Sequence, residues 1–106
     1  MTQPLSEGDK ELSALCDSVR QLARKGGYAE CEKLIAGAMG RHPHAPQPHN
    51  LMGVVFEMRN DHMTAMKHFR AAWSLDPTYL PARHNLDNFA SFSAKSRFVF
   101  DENELQ

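Results

Sequence analysis

The stretch His49–Pro77, HNLMGVVFEMRNDHMTAMKHFRAAWSLDP, decides how the chain is read. It holds two helical stripes. Leu51, Met52, Val55 and Phe56 share one face of a first helix, with Gly53 among them. Ala65, Met66, Phe69, Ala72 and Trp73 recur at helical steps along a second, as a buried stripe does. Asn60-Asp61 breaks the run between them, and Pro77 stops the second helix. Glycine costs a helix interior roughly 1 kcal/mol relative to alanine. Gly53 therefore predicts a close approach by another helix. Ala65 and Ala72 are small for the same reason, and Phe56 and Phe69 fill the space beside the contact.

Upstream, Leu12, Leu15, Val19, Leu22 and Ala23 predict a helix over 9–25, ended by Gly26-Gly27. A second helix is expected over 28–41 with Leu34, Ile35, Ala38 and Met39 inward. Residues 42–48, HPHAPQP, read as a proline-rich connector. Residues 1–8 read as a flexible leader, with Ser6-x-x-Asp9 a weak start signal. Downstream, Thr78 can cap a further helix with Pro81 in its first turn, presenting Leu86, Phe89 and Ala90 on one side. The tail, 94–106, joins the apolar Phe98-Val99-Phe100 to an acidic end. It is either a frayed terminus or a segment that reaches the protein's own groove or a neighbour.

The helix pairs repeat. Gly26-Gly27-Tyr28 and Asn60-Asp61-His62 lie 34 residues apart, as do Cys31 and Ala65, Ile35 and Phe69, Ala38 and Ala72, and Pro43 and Pro77. A helix-turn-helix unit with this period resembles the tetratricopeptide repeat family. The resemblance covers about residues 12–92. It is specific over 46–79, where Gly53, Phe56, Ala65, Phe69, Ala72 and Pro77 stand at signature positions, although His49 replaces the family's Trp and Met52 its Leu. The first repeat, 12–45, keeps Cys31, Ile35, Ala38 and Pro43 but carries Val19 where the family has Gly. The resemblance implies an all-α, right-handed solenoid of about five helices over 9–93, with a capping helix over 79–93 closing the open end.

Composition narrows the function. The chain has 106 residues, 42% hydrophobic, with a net charge of −1, enough for one small domain and without the basic stripe that nucleic acid calls for. No apolar run reaches the roughly 20 residues of a membrane span. No secretory signal is visible, and Cys16 and Cys31 have neither pairing nor metal spacing. These features point to a reduced, cytoplasmic setting. No catalytic constellation and no cofactor motif stands out. His42, His44 and His49 offer too few converging ligands for zinc, so metal binding is a distant alternative and no metal residue is assigned. Cys16 and Cys31 read as small core residues, and Trp73, Met39 and Met66 as core rather than a ligand box.

What remains is a surface. By the resemblance, first helices of successive repeats line a concave groove for a partner's peptide or helix. Here Cys16 and Arg20, then Gln47, Asn50, Val54 and Glu57, then His84 and Asn88 would line it, each set on one helical face. The same residues also fit an ordinary solvated face. A carboxylate clamp known in the family is not supported, since Cys16 and Leu51 occupy two of its places. The expected function is a non-enzymatic protein–protein interaction module or scaffold. The alternative is self-assembly, a homo-oligomer formed through the last helix with Phe98 and Phe100. Phe98-Val-Phe-Asp-Glu itself has the composition the groove would take, with Arg20 and Asp101 as one surface pair.

Overall fold

The computed structural model describes residues 5–89 and 98–105. It is all-α: α1 (Glu7–Arg24), α2 (Tyr28–Arg41), α3 (Pro46–Met58), α4 (His62–Leu75) and α5 (Leu80–Phe89), followed by a 3-10 turn, Glu102–Leu105. Each helix packs on the next in sequence, and α1, α3 and α5 also touch in order. These three form one layer, α2 and α4 the other, in a small helical solenoid. No described helix is long and apolar enough to cross a membrane.

Local chemistry sets the boundaries. Ser6 caps α1 by accepting the Asp9 amide at 3.0 Å, so the helix begins two residues before the expected start. Gly26 (φ 80°) and Asn60 (φ 64°) occupy the left-handed region in the two tight turns, as their equivalent places in the repeat require. Asp61 caps α4 through the Thr64 amide at 3.2 Å. The connector is shorter than expected, because Pro46 and Pro48 belong to the first turn of α3. Amides there have no intrahelical acceptor, so proline loses nothing. Thr78 does not cap α5. Its amide and hydroxyl both donate to Asp76 Oδ1, at 2.9 and 2.6 Å, which closes the turn after α4. The expected extension of α5 to residue 93, with Ala90, lies outside the described residues, as do 94–97.

The core runs through both layers. Leu12, Leu15, Val19, Cys31, Ile35, Ala38, Leu51, Val55, Ala65 and Phe69 are buried together, with Ala72 buried in an adjoining cluster near Tyr79. Gly53 is the point of closest approach: a Cβ there would lie 2.6 Å from Phe69 Cδ1. Phe69 stacks on Phe89 of α5 with centroids 6.4 Å apart, and Phe89 on Phe98 of the tail at 5.3 Å. Two expected core residues are exposed. Leu34 is 42% exposed and Trp73 40%, each flanking its helix's inward residue, Ile35 or Ala72. Among the described residues no further helix covers these flanks. The Arg83 guanidinium lies 5.9 Å from the Trp73 ring centre. Phe56 and Met39 are half-buried at the core margin.

Candidate functional site

The inner layer forms a groove, and the chain's own tail lies in it. Arg20 of α1, Asn50 of α3 and Asn85 of α5 meet the segment Val99–Glu104. Asn50 and Asn85 are fully buried. Asn85 donates from Nδ2 to the Val99 carbonyl at 2.8 Å and accepts the Val99 amide on Oδ1 at 3.0 Å. Asn50 Nδ2 donates to the same carbonyl at 3.0 Å, and Asn85 Nδ2 donates to Asn50 Oδ1 at 2.9 Å. Two carboxamides thus hold both backbone polar groups of one residue, as a neighbouring β-strand would. Buried amides need such partners, and side chains supply them here.

Arg20 reads the acidic end. Its Nη2 donates to Asp101 Oδ2 at 2.7 Å, Nε to Glu104 Oε1 at 3.1 Å, and Nη1 to Asp17 Oδ1 at 2.8 Å on its own helix. Its guanidinium carbon also lies 5.6 Å from the centre of the Phe100 ring. Burial alone would lower the Arg20 pKa, but the bonds to Asp101, Asp17 and Glu104 outweigh it and raise it. The cation is therefore permanent. Val99 and Phe100 are buried beside it.

The tail is folded for this contact. Asp101 accepts the Asn103 amide at 3.1 Å on its side chain, and Glu104 Oε1 reaches back to the Phe100 amide at 3.2 Å. This reciprocal capping organises the 3-10 turn and aims both carboxylates at Arg20.

Beside the tail is an open-sided cavity of about 370 Å³, walled by Leu12 and Cys16 of α1, Gln47, Tyr79 and Asp101–Asn103. The Gln47 Oε1 and the Tyr79 hydroxyl are buried without hydrogen-bond partners. Unpaired buried groups of this kind cost about 1–3 kcal/mol each. Burial pushes the Cys16 thiol up to about 12, which suits a packed residue and not a nucleophile. Both cysteines are free and buried.

The structure brings together only part of the expected lining. Val54 is fully buried and belongs to the core. Glu57 turns to the far end of α3, where its carboxylate meets His62 Nδ1 at 3.0 Å. His84 is exposed, and its neighbour Asn85 holds the tail. Asn88 is half-buried, with Nδ2 lacking a partner. Phe98 contacts Phe89, and Phe100 sits beside Arg20. A sequence signal for Asn85 exists. The pattern Pro-x-x-His-Asn-Leu occurs at Pro46–Leu51 and again at Pro81–Leu86, 35 residues apart. A strict 34-residue count slips α5 by one position and selects His84.

The histidines do not gather into a ligand set: among the described residues no group of three or more His, Cys, Asp or Glu is placed to hold a metal ion. His68 is stacked between Phe56 and His49, with both centroid separations 5.7 Å. Burial lowers the pKa of His49 and of His68, and for His68 the neighbouring His49 adds to it. His42 Nε2 instead meets Glu11 Oε2 at 2.9 Å, a carboxylate that also pairs with Arg41. Hydrogen bonds from His42 and then Arg41 lower the Glu11 pKa.

No family model matches the chain, and no curated protein or solved structure matches it.

Proposed function

We propose that this chain is a non-enzymatic protein–protein interaction module of the tetratricopeptide-repeat kind, which holds an extended segment of a partner in the groove between α1, α3 and α5. One observation carries the reading: the groove already holds a peptide. Both backbone groups of Val99 are bonded by Asn50 and Asn85, and its acidic neighbours by Arg20. Backbone bonding by side chains tolerates varied ligand sequence, and flanking contacts add selection. Its two buried, free thiols fit a cytoplasmic setting.

Affinity capture from the native host tests the proposal. Proteins retained by the chain and lost with the paired variant Asn50→Leu, Asn85→Leu are groove partners. Identical capture by both forms would refute the groove as the binding surface. Self-assembly is the second reading, with the tail of one copy in the groove of another. The tail fills its own groove within one chain, which favours the first reading. Sedimentation at high concentration separates them, since a monomer leaves only the first.

A further inference from the structure

The tail is a bound ligand in every physical respect except its covalent attachment, so its contacts describe what the groove accepts. This inference rests on the groove being the interaction surface. We propose that the groove selects partner segments that copy the tail: an apolar residue, an aromatic one, then Asp, with Glu three positions later. Such a partner must displace the tail to bind.

Four contacts define the pattern. The residue at the Val99 place must be extended, because Asn85 bonds both its amide and its carbonyl. Its side chain must be apolar, because Val99 is buried. The next side chain lies beside the Arg20 guanidinium, where an aromatic face is favoured over an aliphatic one. The two acids must then fall three residues apart, so that one turn of 3-10 helix aims both at the separate nitrogens of Arg20. A basic segment would set its cations against Arg20 and is excluded.

The tail is also an incomplete ligand. Gln47 and Tyr79 line the cavity beside Asp101–Asn103, and with the tail in place the Tyr79 hydroxyl and the Gln47 side-chain carbonyl are buried and unpaired. A partner that replaces the tail and brings one donor and one acceptor to these two groups satisfies both. It gains a contact the tail lacks, which lets it win the exchange.

Tethering gives the tail an effective concentration in the millimolar range. Where that concentration exceeds the tail's intrinsic dissociation constant by about tenfold, the tail weakens an incoming segment by about the same factor. The probe is a fluorescent synthetic peptide of residues 98–105, FVFDENEL. The test uses the full chain, as wild type and as Asp101→Lys, Glu104→Lys, which turns the tail's own acids into cations and leaves the groove untouched. The peptide should bind the variant about tenfold more tightly than wild type. A peptide with both acids replaced by Asn and Gln should bind the variant more weakly, because it lacks the carboxylates that Arg20 takes. Equal binding to both chains, or equal binding of both peptides, would overturn the proposal.

If the variant does not fold, the wild-type chain decides. Excess peptide should move the Val99 amide resonance from its bonded position, and an unmoved resonance refutes the exchange. Selection of a randomised peptide library on the variant separates this inference from the reading beneath it. Enriched sequences with the aromatic–acid pattern support it. Enriched sequences without the pattern overturn it and leave the interaction module standing. No enrichment at all removes both.

Discussion

Replacing Asn85 with alanine tests the central joint of the groove. The side chain is fully buried and makes three hydrogen bonds. In the variant the Val99 carbonyl keeps Asn50 Nδ2 at 3.0 Å, so it stays paired. The Val99 amide loses the acceptor, and Asn50 Oδ1 the donor, that Asn85 gave them. At about 1–3 kcal/mol for each orphaned group, holding the tail down would cost about 2–6 kcal/mol. The chain has an escape: the tail lifts and water satisfies both groups. Lifting exposes Val99 and Phe100, worth up to about 1.5–3 kcal/mol each. It also frees backbone at roughly 1–2 kcal/mol per residue, which offsets that loss. Release is therefore competitive with strain, and the loss of stability is capped at the docking free energy. The assay is amide hydrogen exchange followed by NMR. Val99 should lose at least about tenfold of its protection, while Leu51 and Val55 in α3 hold theirs. Unchanged protection at Val99 with an unchanged melting temperature would refute the account.

Gly53→Ala gains about 1 kcal/mol of helix propensity but drives a methyl into Phe69, whose buried ring has no room to move, at about 1–3 kcal/mol. The melting temperature should fall, and a rise would mean the α3–α4 contact is looser than described. Arg20→Lys keeps the charge and loses the fork that reaches Asp101 and Glu104 separately, so tail docking should weaken by about 1–2 kcal/mol. Circular dichroism should stay helical while the Phe100 ring signals shift toward solvent, and static signals would count against the contact. His49 and His68 have pKa values below 6.5 in the fold, so the unfolded chain binds protons first as pH falls. Their contribution is complete above 6.5 and is lost as pH falls through it toward the folded values. Thermal melts from about pH 7.5 to 5 should show that decline, and the variant His68→Phe should flatten it.

The architecture was legible because repetition multiplies weak signals. Glycine or asparagine in each tight turn, small residues facing each other, and a proline after each second helix recur at one spacing, so each pair supports the other. The stripe edges were less legible. Neighbouring residues stand about 100° apart on a helix, so Leu34 and Trp73 read equally as core or flank until the neighbouring elements are known. In the fold both fall on the flank and are exposed. Asn85 was missed because the period was carried unchanged into α5, where one extra residue shifts the register. The tail was legible in composition and not in place. An apolar triplet followed by acids suits both a frayed end and a docked one, and long-range complementarity to Arg20 and Asn50 decides between them.

The grip on Val99 through its backbone has a consequence for how this chain can evolve. Asn50 and Asn85 recognise atoms that every residue but proline carries, so mutation of Val99 to another apolar residue leaves their bonds intact. Position 99 is thus free to drift among residues of similar bulk, while 50 and 85 stay fixed through any such change. Arg20 and its carboxylates obey the opposite rule. Each depends on the other's side chain, so a change at 20 stands only with matching changes at 101 and 104. Descendants of this sequence would carry two invariant columns beside a loose one, and a coupled trio drawn from opposite ends of the chain.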